Sequence, residues 1–205
     1  MSTPPRCTLV SWSTVYSLSR QLARTIKASG FRPELVIAVG RGGYAPARIV
    51  CDFLHVTDLT SIRVEHYTAT EKQSEVIIRY PLRADIRGRR VLIVDDVNDS
   101  GDTLQALADY LATFQPGSLR TGVLHEKSTT TFAVDFVARR TRAWRWIIYP
   151  WAVIEDLGAF VAQMSPRPTN LSDARQRLHE LYGIRVSQQT MGDVFEFMDD
   201  TSPDE

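Results

Sequence analysis

The sequence has few cysteines and carries no net charge, and each absence excludes a class of protein. Cys7 and Cys51 are the two cysteines among 205 residues, so we expect neither a disulfide framework nor a cysteine-based metal centre. The 24 Lys and Arg residues balance the 24 Asp and Glu residues, whereas general nucleic-acid binders carry a basic excess. We therefore expect no nucleic-acid partner.

Long apolar runs are also missing. No charge-poor run approaches the ~20 residues that a membrane helix needs, and the opening letters MSTPPRCTLVSWS contain no apolar core of the signal-peptide kind. We expect no membrane partner and a cytoplasmic location. With 43% hydrophobic and 23% charged residues, the chain is still long and apolar enough to bury a core of its own.

Apolar patterning predicts strands that alternate with helices. A helix is predicted over residues 12–29, and unbroken apolar runs at 35–39 and 91–94 predict strands buried on both faces. Each run leads through a turn to a predicted helix, at 45–54 and 104–114. The other predicted elements are strands at 61–67, 76–78, 121–125, 132–137 and 146–149, and helices at 172–182 and 190–198. This alternation predicts an α/β fold whose ligands bind beyond the carboxyl ends of parallel strands.

The turn after the first buried strand is rich in glycine. Gly40-Arg41-Gly42-Gly43-Tyr44-Ala45 has the spacing G-x-G-x-x-A, a loose form of the dinucleotide-binding fingerprint. The same turn suits a phosphate, because backbone without side chains lets N–H groups approach an anion, and Arg41 adds a bidentate donor. Glycines that only turn the chain give the same pattern. The turn by itself leaves these three interpretations open.

The turn after the second buried strand is acidic and is more decisive. Asp96-x-Asn98-x-Ser100-Gly101 imitates the start of a calcium loop, but Leu107 stands where that loop needs a bidentate Glu. Four Asp within residues 95–102 exceed what a helix cap requires. Hydroxyl and glycine residues at 100–103 lie where the next helix begins, and its N–H groups and dipole favour a phosphate monoester. The adjacent carboxylates predict a ligand that also brings hydroxyl groups or Mg²⁺, such as a sugar phosphate.

The acidic turn carries a family resemblance. Val91-Leu92-Ile93-Val94-Asp95-Asp96-Val97-Asn98-Asp99-Ser100-Gly101-Asp102-Thr103-Leu104 resembles the phosphoribosyl-pyrophosphate (PRPP) motif of type I phosphoribosyltransferases. Val39 to Gly43 resembles the pyrophosphate-binding loop of that family, which favours the phosphate interpretation over the dinucleotide one. Tyr67 to Arg79, which contains a polar stretch from Thr68 to Ser74 that predicts a loop, resembles the flexible catalytic loop that closes over the site.

The resemblance implies the type I phosphoribosyltransferase fold, a central parallel sheet flanked by helices with a small hood. We expect this core and hood to occupy residues 1–165. Pro166 to Pro168 predicts a linker, and residues 166–205 are expected to form a short helical extension that ends in an acidic tail. Since the family is commonly dimeric, a homodimer is expected.

The resemblance also implies roles for the two turns. Asp95 and Asp96 would hold the ribose hydroxyl groups and Mg²⁺, the expected cofactor, and Asp99 would accept a proton near purine N7 as the catalytic residue. Asp102 would act through its backbone N–H. The residues expected to bind PRPP are Arg41, Gly42, Gly43, Asp95, Asp96, Asp99, Ser100, Gly101, Asp102 and Thr103.

Two further segments point to the base. His125-Glu126-Lys127 closes a strand, as does a lysine of the 6-oxopurine enzymes that donates to purine O6. Trp146-Ile147-Ile148-Tyr149-Pro150-Trp151 resembles the W-I-x-x-P-W segment of xanthine–guanine and archaeal-type guanine phosphoribosyltransferases. The resemblance implies that Lys127 contacts O6, that Trp146 stacks on the purine, and that the Ile147 backbone reads the purine edge.

Blander interpretations stand beside these roles. A lysine at a strand end, such as Lys127, is also explained by simple exposure to solvent. Trp146 is also explained by packing in the core. Core packing is what we expect for Trp144 and Trp151. Ala152 occupies a position where those relatives usually have Asp. This departure leaves the choice among guanine, hypoxanthine and xanthine open.

The function that the resemblance implies is purine salvage. A 6-oxopurine base and PRPP would give the nucleoside 5′-monophosphate and pyrophosphate, with Mg²⁺ required. The alternative is a PRPP- or purine-sensing regulatory protein on the same fold. Regulators of that kind carry an added nucleic-acid-binding domain, and neither the zero net charge nor the short segment after the core favours one. An enzyme for adenine or a pyrimidine is a third alternative, opposed by Lys127 and the W-I-x-x-P-W segment.

Overall fold

The computed structural model describes residues 4–70 and 73–198. The described chain divides into two compact units. The sheet unit comprises residues 13–144, and the helical unit comprises residues 4–12 together with 145–198. Residues 145–165 thus group with the C-terminal residues in the helical unit. The boundary between core and extension predicted from the sequence, between 165 and 166, stays a prediction.

The elements alternate along the chain much as the apolar patterning predicts. The strands are β1 (Cys7–Leu9), β2 (Leu35–Gly40), β3 (Leu59–Thr70), β4 (Gln73–Tyr80), β5 (Arg90–Asn98), β6 (Ser118–Glu126), β7 (Phe136–Arg140) and β8 (Trp146–Ile148). The helices are α1 (Trp12–Ala28), α2 (Tyr44–Leu54), α3 (Asp102–Ala112), α4 (Val153–Ala162), α5 (Leu171–Tyr182) and α6 (Gln188–Phe197).

The sheet unit is built on a six-stranded sheet with the order β4-β3-β2-β5-β6-β7. Its strand pairs are parallel except β3 with β4, which is antiparallel. Alternate residues of the central strands, such as Ile37 and Ile93, pack with Leu104 and Leu107 of α3 in one buried cluster. Because strand side chains alternate between faces, the other face is left to other helices of the sheet unit: α2 contacts β2 and β5, and Leu22 of α1 lies next to Gly122 of β6. The predicted α/β class with a helix-covered parallel sheet is confirmed.

The parallel arrangement decides where the two predicted turns meet. The strands β2 and β5 are neighbours in parallel register, with Ala38 opposite Val94. The strands β5 and β6 are also parallel neighbours, with Asn98 opposite Glu126. The glycine turn, the acidic turn and the segment after β6 therefore leave the sheet along one edge.

Some elements differ from those predicted. The strand β5 continues through the acidic residues to Asn98, because its backbone stays paired with β6 up to that residue. The strand β7 begins at Phe136 and not at Phe132, since Thr130 Oγ1 accepts from the Phe132 N–H and holds that backbone in a turn. The elements β1 and α4 were not predicted.

The polar stretch from Thr68 to Ser74 was predicted as a loop, and the structure corrects most of it. Backbone pairing of β3 with β4 continues through Thr68 opposite Ser74 to Thr70 opposite Gln73, because antiparallel pairing satisfies the backbone groups whatever the side chains. Residues 71 and 72 lie outside the described residues. The role of residues 67–79 as a closing segment stays a prediction.

The helical unit combines a short parallel sheet with three helices. The strands β1 and β8 pair, with Cys7 opposite Trp146. The helices α4, α5 and α6 share a buried cluster that includes Leu157, Leu178 and Met191, so both predicted C-terminal helices are confirmed. In the part of the chain that the structure describes, no helix is long and apolar enough to cross a membrane.

Candidate active site

The glycine turn is shaped by close backbone packing. After β2 ends at Gly40, the Gly40–Arg41 peptide bond is cis, and the Gly43 N–H donates to the Val39 carbonyl at 2.8 Å. A Cβ atom on Gly43 would lie 2.3 Å from the Val94 carbonyl oxygen and 2.8 Å from the Val39 nitrogen. Both neighbours are backbone atoms of strands, so only glycine fits at position 43.

Gly42 brings this turn against the acidic residues of β5. A Cβ atom at Gly42 would lie 2.2 Å from Oδ2 of Asp96, which means that the Asp96 carboxylate occupies the space that a side chain at residue 42 would need. The structure thus brings together the predicted pyrophosphate loop and one member of the predicted acidic pair. Arg41, the predicted side-chain donor of that loop, is exposed.

Asp95 and Asp96 form an unusual pair of neighbouring carboxyl groups. Asp95 is 8% exposed, and its Oδ1 accepts from the Asp96 N–H at 2.8 Å. Burial, and then the charge of Asp96, raise the pKa of Asp95 well above its ordinary value of 3.8, although that N–H opposes the shift. A cation or hydroxyl donors placed beside the pair would relieve this penalty.

The acidic pair fits Mg²⁺ that is held partly by another molecule. Among the described residues, no group of three or more His, Cys, Asp or Glu side chains could hold a metal ion. Mg²⁺ takes oxygen ligands, keeps several waters, and commonly uses only one or two protein carboxylates together with substrate phosphates. Asp95 and Asp96 would supply those two carboxylates if Mg²⁺ binds here.

The predicted phosphate loop leads from β5 into α3. Gly101 caps the helix with φ of +104°, and a Cβ atom there would lie 2.7 Å from Cβ of Phe132, so both conformation and space favour glycine. Ser100 Oγ donates to Asp102 Oδ2 at 2.8 Å. The first N–H groups of a helix have no acceptor within the helix. In α3 the first of these groups belongs to Asp102, which is exposed.

A neighbouring segment, residues 127–132, hydrogen-bonds this loop, a structural role that was not predicted from the sequence. The Lys127 N–H donates to the Asn98 carbonyl, and the Thr131 N–H donates to the Ser100 carbonyl, each at 2.9 Å. Asn98 Nδ2 returns a hydrogen bond to the Phe132 carbonyl at 3.1 Å. Three consecutive threonines soon after the predicted strand at 121–125 were the available signal, since threonine hydroxyls bond nearby backbone in turns.

Four residues at the carboxyl edge form what we call the lysine cluster: Asp99, Lys127, Thr129 and Trp144. Lys127 Nζ lies 2.5 Å from Asp99 Oδ2, and the Lys127 side chain is 4% exposed against 43% for Asp99. Asp99 Oδ1 accepts from Thr129 Oγ1 at 3.0 Å and from Trp144 Nε1 at 3.2 Å. The solvated interpretation of Lys127 is therefore wrong, and the residues predicted for purine O6 and N7 contact each other directly.

Trp144 corrects an expectation, because it does not pack in the core. The side chain is 43% exposed, and its ring centroid lies 4.6 Å from Lys127 Nζ. The backbone before it is anchored next to the lysine, since the Thr141 N–H donates to the Glu126 carbonyl at 2.8 Å. One tryptophan thus contacts both charged members of the lysine cluster.

Trp146 and Ile147, the other residues predicted to contact the purine, belong to β8 in the helical unit. Trp146 is 40% exposed, which opposes a pure core role, and its side chain hydrogen-bonds Asp156. Burial raises the pKa of Asp156, and that hydrogen bond partly offsets the rise. Trp151 stacks on Tyr149 with ring centroids 4.8 Å apart, as expected for a packing residue.

A buried histidine lies two residues before Lys127. His125 is 4% exposed, and burial, assisted by the charge of Arg139, lowers its pKa from 6.5 to about 4. His125 is therefore neutral near pH 7 and adds no charge to this edge of the sheet.

Comparison with known proteins identifies relatives of this chain. A model for the phosphoribosyl transferase domain matches residues 9–155. The chain is 32% identical to the xanthine-guanine phosphoribosyltransferase of Idiomarina loihiensis, over 69% of this chain and 84% of that relative. It is 28% identical to the hypoxanthine-guanine phosphoribosyltransferase of Saccharomyces cerevisiae, again over 69% and 84%.

A solved structure of a purine phosphoribosyltransferase is also similar to this chain. The purine phosphoribosyltransferase of Pyrococcus horikoshii superposes with a TM-score of 0.63 at 28% identity, covering 71% of this chain and 93% of that one. The residues matched by the family model contain both turns, the lysine cluster and Trp146.

Proposed function

The chain belongs to the phosphoribosyltransferase family of enzymes, and we propose that it transfers the phosphoribosyl group of PRPP to a 6-oxopurine base. The products would be the nucleoside 5′-monophosphate and pyrophosphate. The relatives named for xanthine, guanine and hypoxanthine support this class of base. The proposal includes a homodimer in the cytoplasm, as the family implies.

The lysine cluster is the observation that carries the choice of base. A 6-oxopurine that will be joined at N9 presents O6 as an acceptor and can present N7–H as a donor. Lys127 is a donor and Asp99 an acceptor, and they lie side by side at 2.5 Å, so parting the pair exposes the complementary groups. Adenine carries an amino donor at C6, which would face the Lys127 donor without an acceptor between them.

The turns on the other side of Asp99 would hold PRPP. Backbone N–H groups of residues 100–103 at the start of α3 suit the 5′-phosphate, because a helix N-terminus favours an anion. Residues 41–43 would hold the pyrophosphate through their N–H groups and through Arg41. Asp95 and Asp96 would accept hydrogen bonds from the ribose hydroxyl groups, which would offset the burial and the like charge that raise the pKa of Asp95.

Charge development in the reaction matches this arrangement. Breaking the bond between ribose C1 and pyrophosphate gives an oxocarbenium-like transition state, as in glycoside cleavage. Carboxylates that bind the ribose hydroxyl groups would favour the cationic sugar, and N–H donors at residues 41–43 would favour the departing anion. Asp99 would take the proton that the purine loses as N9 bonds to C1. Mg²⁺, held by Asp95 and Asp96 with substrate oxygens, would supply positive charge that neutralises the pyrophosphate.

The test is product formation with each base separately. The wild-type protein is incubated with PRPP, Mg²⁺ and guanine, hypoxanthine, xanthine or adenine, and nucleotide and pyrophosphate are measured. We expect product from at least one 6-oxopurine, none from adenine, and loss of product when the divalent cation is chelated. Product from adenine alone would overturn the base assignment, and no product from any base would favour the regulatory alternative. Asp96→Asn, purified in parallel, serves as the control impaired in PRPP binding.

A further inference from the structure

We propose that Trp144 is a positioning residue for the base, holding Lys127 through its ring face and one oxygen of Asp99 through its indole N–H. This inference rests on the proposed function, because it concerns how the groups that would read the purine are kept in place. The sequence alone predicts a packing role for this residue. The contacts of Trp144 with both charged partners carry the argument.

The two oxygens of Asp99 have different partners. Oδ1 accepts from two neutral donors, Thr129 Oγ1 at 3.0 Å and Trp144 Nε1 at 3.2 Å. Oδ2 faces Lys127 Nζ at 2.5 Å. When a purine parts the ion pair, the bonds to Oδ1 need not break. Oδ1 is thus the anchored oxygen, and Oδ2 is the one that can change from Lys127 to the purine N7–H.

The contact of Trp144 with Lys127 can also persist when a purine parts the Asp99–Lys127 ion pair. Its Nζ lies 4.6 Å from the Trp144 ring centroid, a distance at which the ring face attracts a cation. The Lys127 side chain is 4% exposed, so water does little to solvate its positive charge when Asp99 Oδ2 turns to the base. The ring face keeps the ammonium in place until purine O6 accepts from it.

The position of Trp144 is itself fixed next to the lysine. Thr141 donates to the Glu126 carbonyl through both its N–H, at 2.8 Å, and its Oγ1, at 3.3 Å. Arg140 Nε pairs with the Glu126 carboxylate at 2.7 Å. These bonds tie the chain just before Trp144 to the residue just before Lys127. Among the natural side chains, tryptophan combines a large ring face with an N–H donor at its edge.

Two substitutions separate the ring face from the N–H. Trp144→Phe keeps a ring over Lys127 but removes the donor to Asp99, so we expect kcat to fall about 5-fold, the typical effect of one lost hydrogen bond. Trp144→Leu removes both, and the KM for the base should rise about 10-fold in addition, as loss of a desolvated cation–ring contact implies. The KM for PRPP should stay within about 2-fold of wild type in both, since the two turns proposed to hold that substrate are left unchanged.

Matched variants show whether the effect passes through Asp99. Thr129→Val removes the other donor to Oδ1 and should lower kcat to a similar degree. In an Asp99→Asn background, Trp144→Phe should have little further effect on kcat, because residues that act through one group are not additive. Trp12→Phe removes an indole elsewhere and should leave the kinetics unchanged. Equal rises in both KM values, or additive losses in the double variant, would overturn the positioning role.

An experiment without turnover separates this inference from the proposed function. In ¹H–¹⁵N spectra, the indole resonance that Trp144→Phe removes belongs to Trp144, and Asp99→Asn should shift it because the acceptor loses its charge. An active wild-type enzyme with an unshifted indole resonance would contradict the inference alone. A shifted resonance in a protein that makes no nucleotide would overturn the proposed function and the positioning role with it, leaving only the contact.

Discussion

The candidate site has two sides that are built from different parts of the chain. The side that would hold PRPP, which we call the glycine side, consists of Gly42, Gly43 and Gly101 with Asp95 and Asp96. There, backbone atoms stand so close that a Cβ at Gly43 would lie 2.3 Å from the Val94 carbonyl oxygen. The lysine cluster, by contrast, consists of side chains. Asp99 follows β5, Lys127 and Thr129 follow β6, and the fourth member is the exposed Trp144.

This difference teaches which kind of change each side tolerates. The packing around Gly43 is sensitive to added volume and indifferent to charge, because the atoms that a Cβ there would meet belong to backbone. A cluster of charged and hydrogen-bonded side chains is sensitive to a lost charge or donor, because a buried polar group is left without its partner. The same site should therefore respond to a steric change at Gly43 and to chemical changes in the lysine cluster.

The largest effect should come from Asp99→Asn in the lysine cluster. Asparagine keeps the shape but cannot accept the purine proton, so turnover should fall by about 10²-fold or more, as when a general base is removed. Binding of PRPP, measured by calorimetry with Mg²⁺, should survive, because the glycine side is untouched. Turnover equal to wild type would remove Asp99 from the proton-acceptor role.

A steric change on the glycine side should act on stability. Gly43→Ala forces apart the backbone of two buried strands, and we expect the free energy of unfolding to drop by about 2–3 kcal/mol, as for overpacked cores. Denaturant titration measures it. Gly192→Ala in α6 is the control, because a Cβ there meets nothing within 4 Å, and alanine should stabilise that helix by up to about 1 kcal/mol. A neutral Gly43→Ala would show that the turn can relax, contrary to the backbone account.

Acid should act in opposite directions through His125, which lies two residues before Lys127, and through Asp95 of the glycine side. The pKa of His125, lowered to about 4 from 6.5, means that the unfolded chain binds more protons between those values, so stability falls as pH drops through that window. The effect should be on the order of 2 kcal/mol. Asp95, whose pKa is raised above 3.8, has the reverse sign, since the folded state holds its proton and loses stability as pH rises.

Two variants separate these opposing contributions. Unfolding of His125→Gln, followed from pH 4 to 6.5, should lose much of the acid sensitivity, whereas Asp95→Asn should steepen it. If His125→Gln follows the wild-type pH profile, the buried neutral histidine is not the acid-sensitive group.

The sequence predicts the glycine side better than the lysine cluster, and the reason is physical. Turns that follow parallel buried strands must leave the sheet at one edge, so the approach of Gly42 to Asp96 follows from the order of strands alone. The contacts of Asp99 with Lys127 and Trp144 join residues 28 and 45 positions apart. Patterns among neighbouring residues do not predict such pairs. From the sequence alone, Trp144 cannot be told from a tryptophan that packs in the core.

One measurement tests the division of the site most directly: the KM values of Lys127→Ala for the base and for PRPP, determined in the same assay. If the glycine side holds PRPP and the lysine cluster holds the base, the KM for the 6-oxopurine should rise about 10-fold or more, as for loss of a charged hydrogen bond. The KM for PRPP should stay within about 2-fold of wild type. A similar rise in both values would contradict the account.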